Sequence, residues 1–322
     1  MSLFTHIAIF LLSLSVLWFF AGSLLDSVGR LAARFCRSGF GTAFFILGFL
    51  TSISEISVAV NAGLAGTPEV SAGNLVGVSF VILMLIVPFL AVAGNGMSIK
   101  GLVSKETLAF TLLVILSPII LLADGRVTMV EGGFAILAYL ALAYSIRSKP
   151  EGNVSNVCIP ENIGTSREFY VDICKILVGA AAVFIASHFL VQESIAVALY
   201  LSIPASLLGL LLLSIGTNIP EIVIAMRAIL AKRKDIAFGD YLGSAAANVP
   251  IFGALAIFTG GFVVESSEFT ATALLALVGF ALFYFFARSH SKLTRKEGTV
   301  LLLLYGIFVL TQFINVIRFT VT

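Results

Sequence analysis

The chain has 322 residues, 59% of them apolar and only 11% charged, with a formal net charge of +2. Soluble domains sit nearer half apolar and a quarter charged, so this balance excludes a water-soluble globular domain and offers no surface for nucleic acid. The length has room for many membrane spans of about 20 apolar residues each.

In chain order, the opening "MSLFTHIAIFLLSLSVLWFF" lacks a basic leading segment and a small-residue cleavage site, and reads as a first span rather than a removed signal peptide. Ten apolar segments are predicted in all, at 3–22, 40–64, 71–94, 106–124, 128–146, 170–190, 195–230, 238–262, 269–287 and 297–317. The expected fold is an all-α membrane protein. The second segment carries Glu55. The seventh is too long for one straight crossing and contains Pro204, Gly209, Gly216 and Pro220, which predicts a bent or interrupted helix.

Basic residues set the orientation. With the N-terminus outside, 17 of the 19 Lys and Arg fall in cytoplasmic segments, and only Arg126 and Arg318 lie outside. The expectation is a multi-pass protein of the cell membrane with both termini outside. Residues 147–169 form a polar cytoplasmic linker between a first five-span half, 1–146, and a second, 170–322. Cys36, Cys158 and Cys174 have no metal-ligand spacing and read as free thiols on the cytoplasmic side.

Two stretches say nearly the same thing: "FLTSISEISVA" at 49–59 and "SIGTNIPEIVIA" at 214–225. They align without gaps at an offset of 166. Thr51 meets Thr217, Ser52 meets Asn218, Ser54 meets Pro220 and Glu55 meets Glu221. The match continues through Gly73 with Gly239, Asn74 with Asp240, and Gly77 with Gly243. The connection after Glu55, "LAGTPEVS", has no basic residue, whereas its counterpart "LAKRKDIAF" has three. The copies therefore face opposite ways. An odd number of spans per half produces that inversion, and inverted repeats place a transporter's substrate site near the membrane midplane.

A buried carboxylate costs several kcal/mol unless paired or coordinated. Two such groups repel unless a cation lies between them, and hard cations take carboxylate, carbonyl, hydroxyl and amide oxygens. Glu55 and Glu221 supply charge; Thr51, Ser52, Thr217 and Asn218 supply side-chain oxygens. Pro220 is expected to break its helix and free the carbonyls of residues 213–217. Ser54 cannot force a break, so the first copy is expected to be the less interrupted. Ser244 and Asn248 stand one turn apart and can both point inward, but their counterparts, Val78 and Ile82, cannot ligate. The glycines at 73, 77, 239 and 243 suit close helix packing. Asp124, Glu131, Asp172, Glu193, Glu265 and Glu268 are expected to be solvated at span ends, Asp240 to start a helix, and Gln312 to bond between helices. His6, His188 and His290 are scattered.

The paired stretches resemble the two alpha-repeats of the calcium/cation antiporter superfamily, in particular its sodium/calcium exchanger branch. The first repeat, about 40–94, carries "LTSISE" with Pro68–Glu69, Gly73–Asn74 and Gly77. The second, about 205–262, carries "GTNIPE" with Asp235, Gly239–Asp240, Gly243–Ser244 and Asn248. The resemblance implies ten helices as two inverted five-helix repeats. It implies Ca²⁺ held by Glu55, Glu221 and the carbonyls of Thr51 and Thr217, flanking Na⁺ sites at Ser52, Asn218 and Ser244, and sliding of the first helix of each half. Val78, Ile82 and Asn248 depart from it, standing where a serine, an asparagine and an acid are usual. The two glutamates still balance one Ca²⁺, two Na⁺ or two H⁺, which counts against three-sodium coupling.

The expected function is a secondary active antiporter exchanging a divalent cation, most simply Ca²⁺, for Na⁺ or H⁺ by alternating access. Its partners are inorganic cations and the lipid bilayer, with no cofactor, and a monomer suffices. The alternatives are a cation channel and a cation-binding homologue that does not transport. No HExxH and no GxxxxGK[ST] is present, so neither a zinc protease nor an ATP-driven pump is indicated.

Overall fold

The computed structural model describes residues 3–35, 44, 48–49, 51–99, 103–148, 166–219, 221–222, 226, 234–264, 266–289 and 292–321. The expectations for Pro220, for Cys36 and Cys158, and for most of the 147–169 linker lie outside them. Apolar runs become helices because a helix satisfies its own backbone groups without water. The described helices are α1 (Leu3–Phe35), α2 (Ile53–Leu64), α3 (Pro68–Ala93), α4 (Lys105–Leu121), α5 (Met129–Ser148), α6 (Ser166–Leu201), α7 (Ala205–Thr217), α8 (Lys234–Phe258), α9 (Ser266–Ser289) and α10 (Arg295–Val321). Seven of them are long and apolar enough to cross a membrane; α2 and α7 are shorter and apolar.

Helices α3 and α8 form the centre. Their apolar windows are 83% and 78% buried, against 17% to 33% for the other five candidate spans. Those five turn residues such as Phe19, Leu137, Leu177, Phe285 and Leu310 outward, as lipid contact requires. Helix α1 packs chiefly along α6, which in turn leans on α2.

One predicted boundary is wrong. The sixth and seventh segments were divided at residues 191–194, but α6 runs unbroken to Leu201, and the turn comes at Ser202, with φ 53°, through Pro204. Two of the polar residues there are satisfied within the fold: His6 Nδ1 meets Glu193 Oε2 at 2.6 Å, and Ser194 Oγ donates to Leu190 O at 2.7 Å. Glu193 is thus a partner of His6, not a solvated end residue.

Two short ladders join the halves. β1 (Met97–Ser98) pairs antiparallel with β4 (Lys292–Leu293), and β2 (Arg126–Val127) with β3 (Phe262–Val263). Helix α4 separates β1 from β2 and α9 separates β3 from β4, so the ladders sit at opposite ends of the molecule. Beside them, Thr128 and Glu131 close a reciprocal cap at the start of α5: Thr128 N donates to Glu131 Oε2 at 2.7 Å, and Glu131 N to Thr128 Oγ1 at 3.3 Å. Thr294 and Glu297 repeat both bonds at the start of α10, with the same distances. The T-x-x-E spacing was a readable capping box, and these residues again stand 166 apart.

Between the glycine crossings and these caps the register slips by one residue and returns. Gly96 N bonds Ala91 O, and the equivalent bond is from Gly261 N to Ala256 O, one residue short of the 166 offset. The extra residue is taken up at Ile82–Ile86, a π-turn within α3, where α8 has continuous α-helix. A π-turn is how a helix absorbs one inserted residue.

Candidate cation site

Both glutamates are buried at 2% exposure, and Thr51, Ser52, Thr217, Asn218, Ser244 and Asn248 are buried as well. The chain departs from helix at the same place in each copy. Ser52 has φ −84° and ψ 13°; Asn218 has φ −89° and ψ 6°. The expectation of a less interrupted first copy is therefore corrected: the break needs no proline. A side-chain bond accompanies it in each copy. Ser52 Oγ donates to Gly48 O at 2.7 Å, and Asn218 Nδ2 to Ser214 O at 2.6 Å, each reaching the carbonyl four residues back. Ser52 N keeps its own bond to Gly48 O at 3.2 Å, so the hydroxyl shares that carbonyl with the helical ladder. The Asn218 amide bond corrects the expectation that the Ser214 carbonyl is freed for an ion. Thr51 Oγ1 adds a bond to Gly48 O at 3.1 Å.

Contact between the copies is close because glycines permit it. A methyl at Gly77 would collide with Leu210 O and the Ser214 side chain, and one at Gly243 with Phe44 O. Residues 77 and 243, and 44 and 210, are matched pairs, so the same crossing is made twice. Gly73 likewise meets Ser206 O.

These crossings bring the predicted residues together. Ser54 Oγ donates to Glu55 Oε2 at 2.8 Å. From the other copy, Thr217 Oγ1 approaches Asn74 Oδ1 at 3.5 Å. Thr217 stands one turn before Glu221, whose main-chain carbonyl accepts from the Tyr241 hydroxyl at 3.1 Å. Ser244 adjoins Gly243 and so lies beside Gly48, which one turn later gives Ser52. Asn248 Nδ2 donates to Ser79 Oγ at 3.3 Å.

Several buried oxygens of the predicted site residues have no hydrogen-bond partner: Glu55 Oε1, Asn218 Oδ1 and Asn248 Oδ1. Leaving a buried polar atom unsatisfied costs about 1–3 kcal/mol. Carboxylate and amide oxygens are the donors that a hard cation takes. Val78 and Ile82 are buried at 1% and 0% and contribute only hydrocarbon. Sequence reasoning missed Ser79, Asn74 and Tyr241 as participants. Ser79 was findable as the only polar residue between Val78 and Ala93. Gln312 Nε2 donates to Thr272 Oγ1 at 2.8 Å, the expected bond between helices.

The fold is that of a helical protein with seven described helices long and apolar enough to cross a membrane, built around buried oxygen donors. The family model described as sodium/calcium exchanger protein matches residues 5–146 and 172–314. The chain belongs to that family of membrane exchangers. It is 26% identical over 297 residues to the uncharacterized membrane protein MJ0091 of Methanocaldococcus jannaschii, covering 92% of this chain and 94% of that one. It is 32% identical over 146 residues to the sodium/calcium exchanger MaX1 of Methanosarcina acetivorans, covering 45% and 41%. The putative antiporter CaxA of Alkalimonas amylolytica is 23% identical over 268 residues, covering 79% and 82%. Among solved structures, the sodium-calcium exchanger NCX_Mj superposes with a TM-score of 0.65 at 21% identity, covering 96% and 99%. At that identity the likeness establishes the fold.

Proposed function

We propose that the protein is a secondary active antiporter exchanging Ca²⁺ for Na⁺ or H⁺ by alternating access. The observation that carries this is the close crossing of the two motif copies at Gly77 and Gly243, with Thr217 Oγ1 of one copy 3.5 Å from Asn74 Oδ1 of the other and both motif glutamates buried. Glu55, Glu221 and the oxygens at Thr51, Ser52, Thr217, Asn218, Ser244 and Asn248 hold the cation in this reading. The substrate is one divalent ion or two monovalent ions, either of which neutralises the two carboxylates.

The reading takes the chain as ten spans in two halves, 1–146 and 170–322, inverted relative to each other in the cell membrane with both termini outside. The ladders at opposite ends, the matched capping boxes and the matched glycine crossings support that inversion. Helices α1 and α6, packed on each other and largely lipid-facing, are the pair that moves across the centre.

Uptake of radioactive calcium into proteoliposomes is the test. Uptake driven by an opposing Na⁺ or H⁺ gradient is expected, and uptake indifferent to both gradients overturns the coupling. A second reading, a cation-binding protein that does not exchange, is favoured by the hydrocarbon at Val78 and Ile82. Saturable Ca²⁺ binding without any exchange would select it.

A further inference from the structure

Ser79 lies on α3 at 3% exposure, and its counterpart 166 residues on is Ala245, so the motif itself does not call for a hydroxyl there. The single hydroxyl proton of Ser79 faces carbonyls: Leu75 O at 3.1 Å and Ala245 O at 3.4 Å. What remains is lone-pair density, and Asn248 Nδ2 donates into it at 3.3 Å, from α8. Asn248 Oδ1 is left without a partner, although the residue is only 2% exposed.

The orientation of this amide has a physical cause. Turned over, it would set Oδ1 against an oxygen whose proton is already committed, and would aim two N–H donors into a cation site. Asn218 shows the same division of labour by local means: its Nδ2 is tied to Ser214 O and its Oδ1 is unpartnered.

We propose that Ser79 is a positioning residue that locks the Asn248 amide with its carbonyl oxygen toward the cation, making position 248 a neutral, oriented ligand. The proposal rests on the antiporter reading of the site. A carboxylate offers an oxygen whichever way it turns; an amide ligates only if something holds its nitrogen. Ser79 is the group that makes asparagine serviceable at 248.

The test is the concentration of Ca²⁺ giving half-maximal uptake in proteoliposomes, read beside equilibrium Ca²⁺ binding by the purified protein. Ser79→Ala is expected to weaken both by roughly 10- to 100-fold, the usual cost of removing a group that orients a metal ligand, with the maximal rate largely kept. Ser79→Thr, which retains the hydroxyl, is expected to restore the wild-type values. In an Asn248→Asp background, adding Ser79→Ala is expected to change nothing. Unaltered Ca²⁺ affinity in Ser79→Ala overturns the lock. So does an equal loss in the Asn248→Asp background, which would mark Ser79 as packing alone. Should Ser79→Ala fail to fold, Ser79→Cys, a weaker acceptor, is expected to give an intermediate loss, and wild-type affinity in that variant overturns the lock as well. If the wild type binds Ca²⁺ but exchanges none, the antiporter reading fails, while the binding arm still decides the role of Ser79.

Discussion

The Tyr241 hydroxyl donates to the main-chain carbonyl of Glu221 at 3.1 Å from a fully buried ring on α8. The bond ties the segment bearing one carboxylate to the central helix that bears Ser244 and Asn248. It acts on the backbone, so it sets where the carboxylate sits without ligating anything itself. Tyr241→Phe keeps the ring and removes one hydrogen bond worth about 0.5–1.5 kcal/mol. Apparent Ca²⁺ affinity is expected to fall by up to about tenfold, with the protein folded. Titration calorimetry on the purified variant measures it, and an unchanged affinity would reduce Tyr241 to packing.

Close crossing at Gly77 and Gly243 is a condition of the site, because the carbonyls of Leu210 and Phe44 occupy the space that a methyl would need. Gly77→Ala and Gly243→Ala are each expected to destabilise by about 1–3 kcal/mol, as overpacking does. Gly133→Ala, with open space around it, is expected to be neutral. The temperature at which detergent-solubilised protein loses its monodisperse elution peak reports all three. Equal stability across the set would contradict the crossing.

In the proposed site, Glu55 and Glu221 when ionised supply two negative charges, and Asn248 adds only a neutral amide. On that reading, a site loaded with one Ca²⁺, or with two monovalent ions, crosses the membrane uncharged. Ca²⁺ uptake is expected to be insensitive to a potassium diffusion potential. Uptake that rises or falls with the imposed potential would show net charge movement and a different stoichiometry.

Val78 and Ile82 put buried hydrocarbon at the positions matched in the second copy by Ser244 and Asn248. Val78→Ser combined with Ile82→Asn gives the first copy the same kinds of oxygen. Exchange in the double variant is expected to depend more steeply on Na⁺. A Na⁺ response identical to that of the wild type would mean that these positions lie outside the ion path.

Much of the site was readable because the chain states it twice. Glu55 and Glu221 in matched company, with glycines following at a fixed interval, mark the centre in the sequence itself. What was not readable depends on contacts without a counterpart. Ser79 faces Ala245 across the repeat, so no duplication flags it. Ile82–Ile86 absorbs an extra residue in a π-turn, and an apolar run of that kind gives no periodic sign of it. Helix α6 passes through a polar group that resembles a turn, because His6, distant in sequence, satisfies Glu193. The departure from helix at Ser52 has no proline to announce it in the sequence; Ser54 stands where the second copy has Pro220.

The central claim is that one cation is held jointly by the two carboxylates. Equilibrium titration of the purified protein with Ca²⁺ tests it most directly, comparing wild type with Glu55→Gln and Glu221→Gln, each confirmed as folded. Saturable binding in the wild type, lost in both single variants, is the expected result. Wild-type affinity retained in either variant would contradict a shared site.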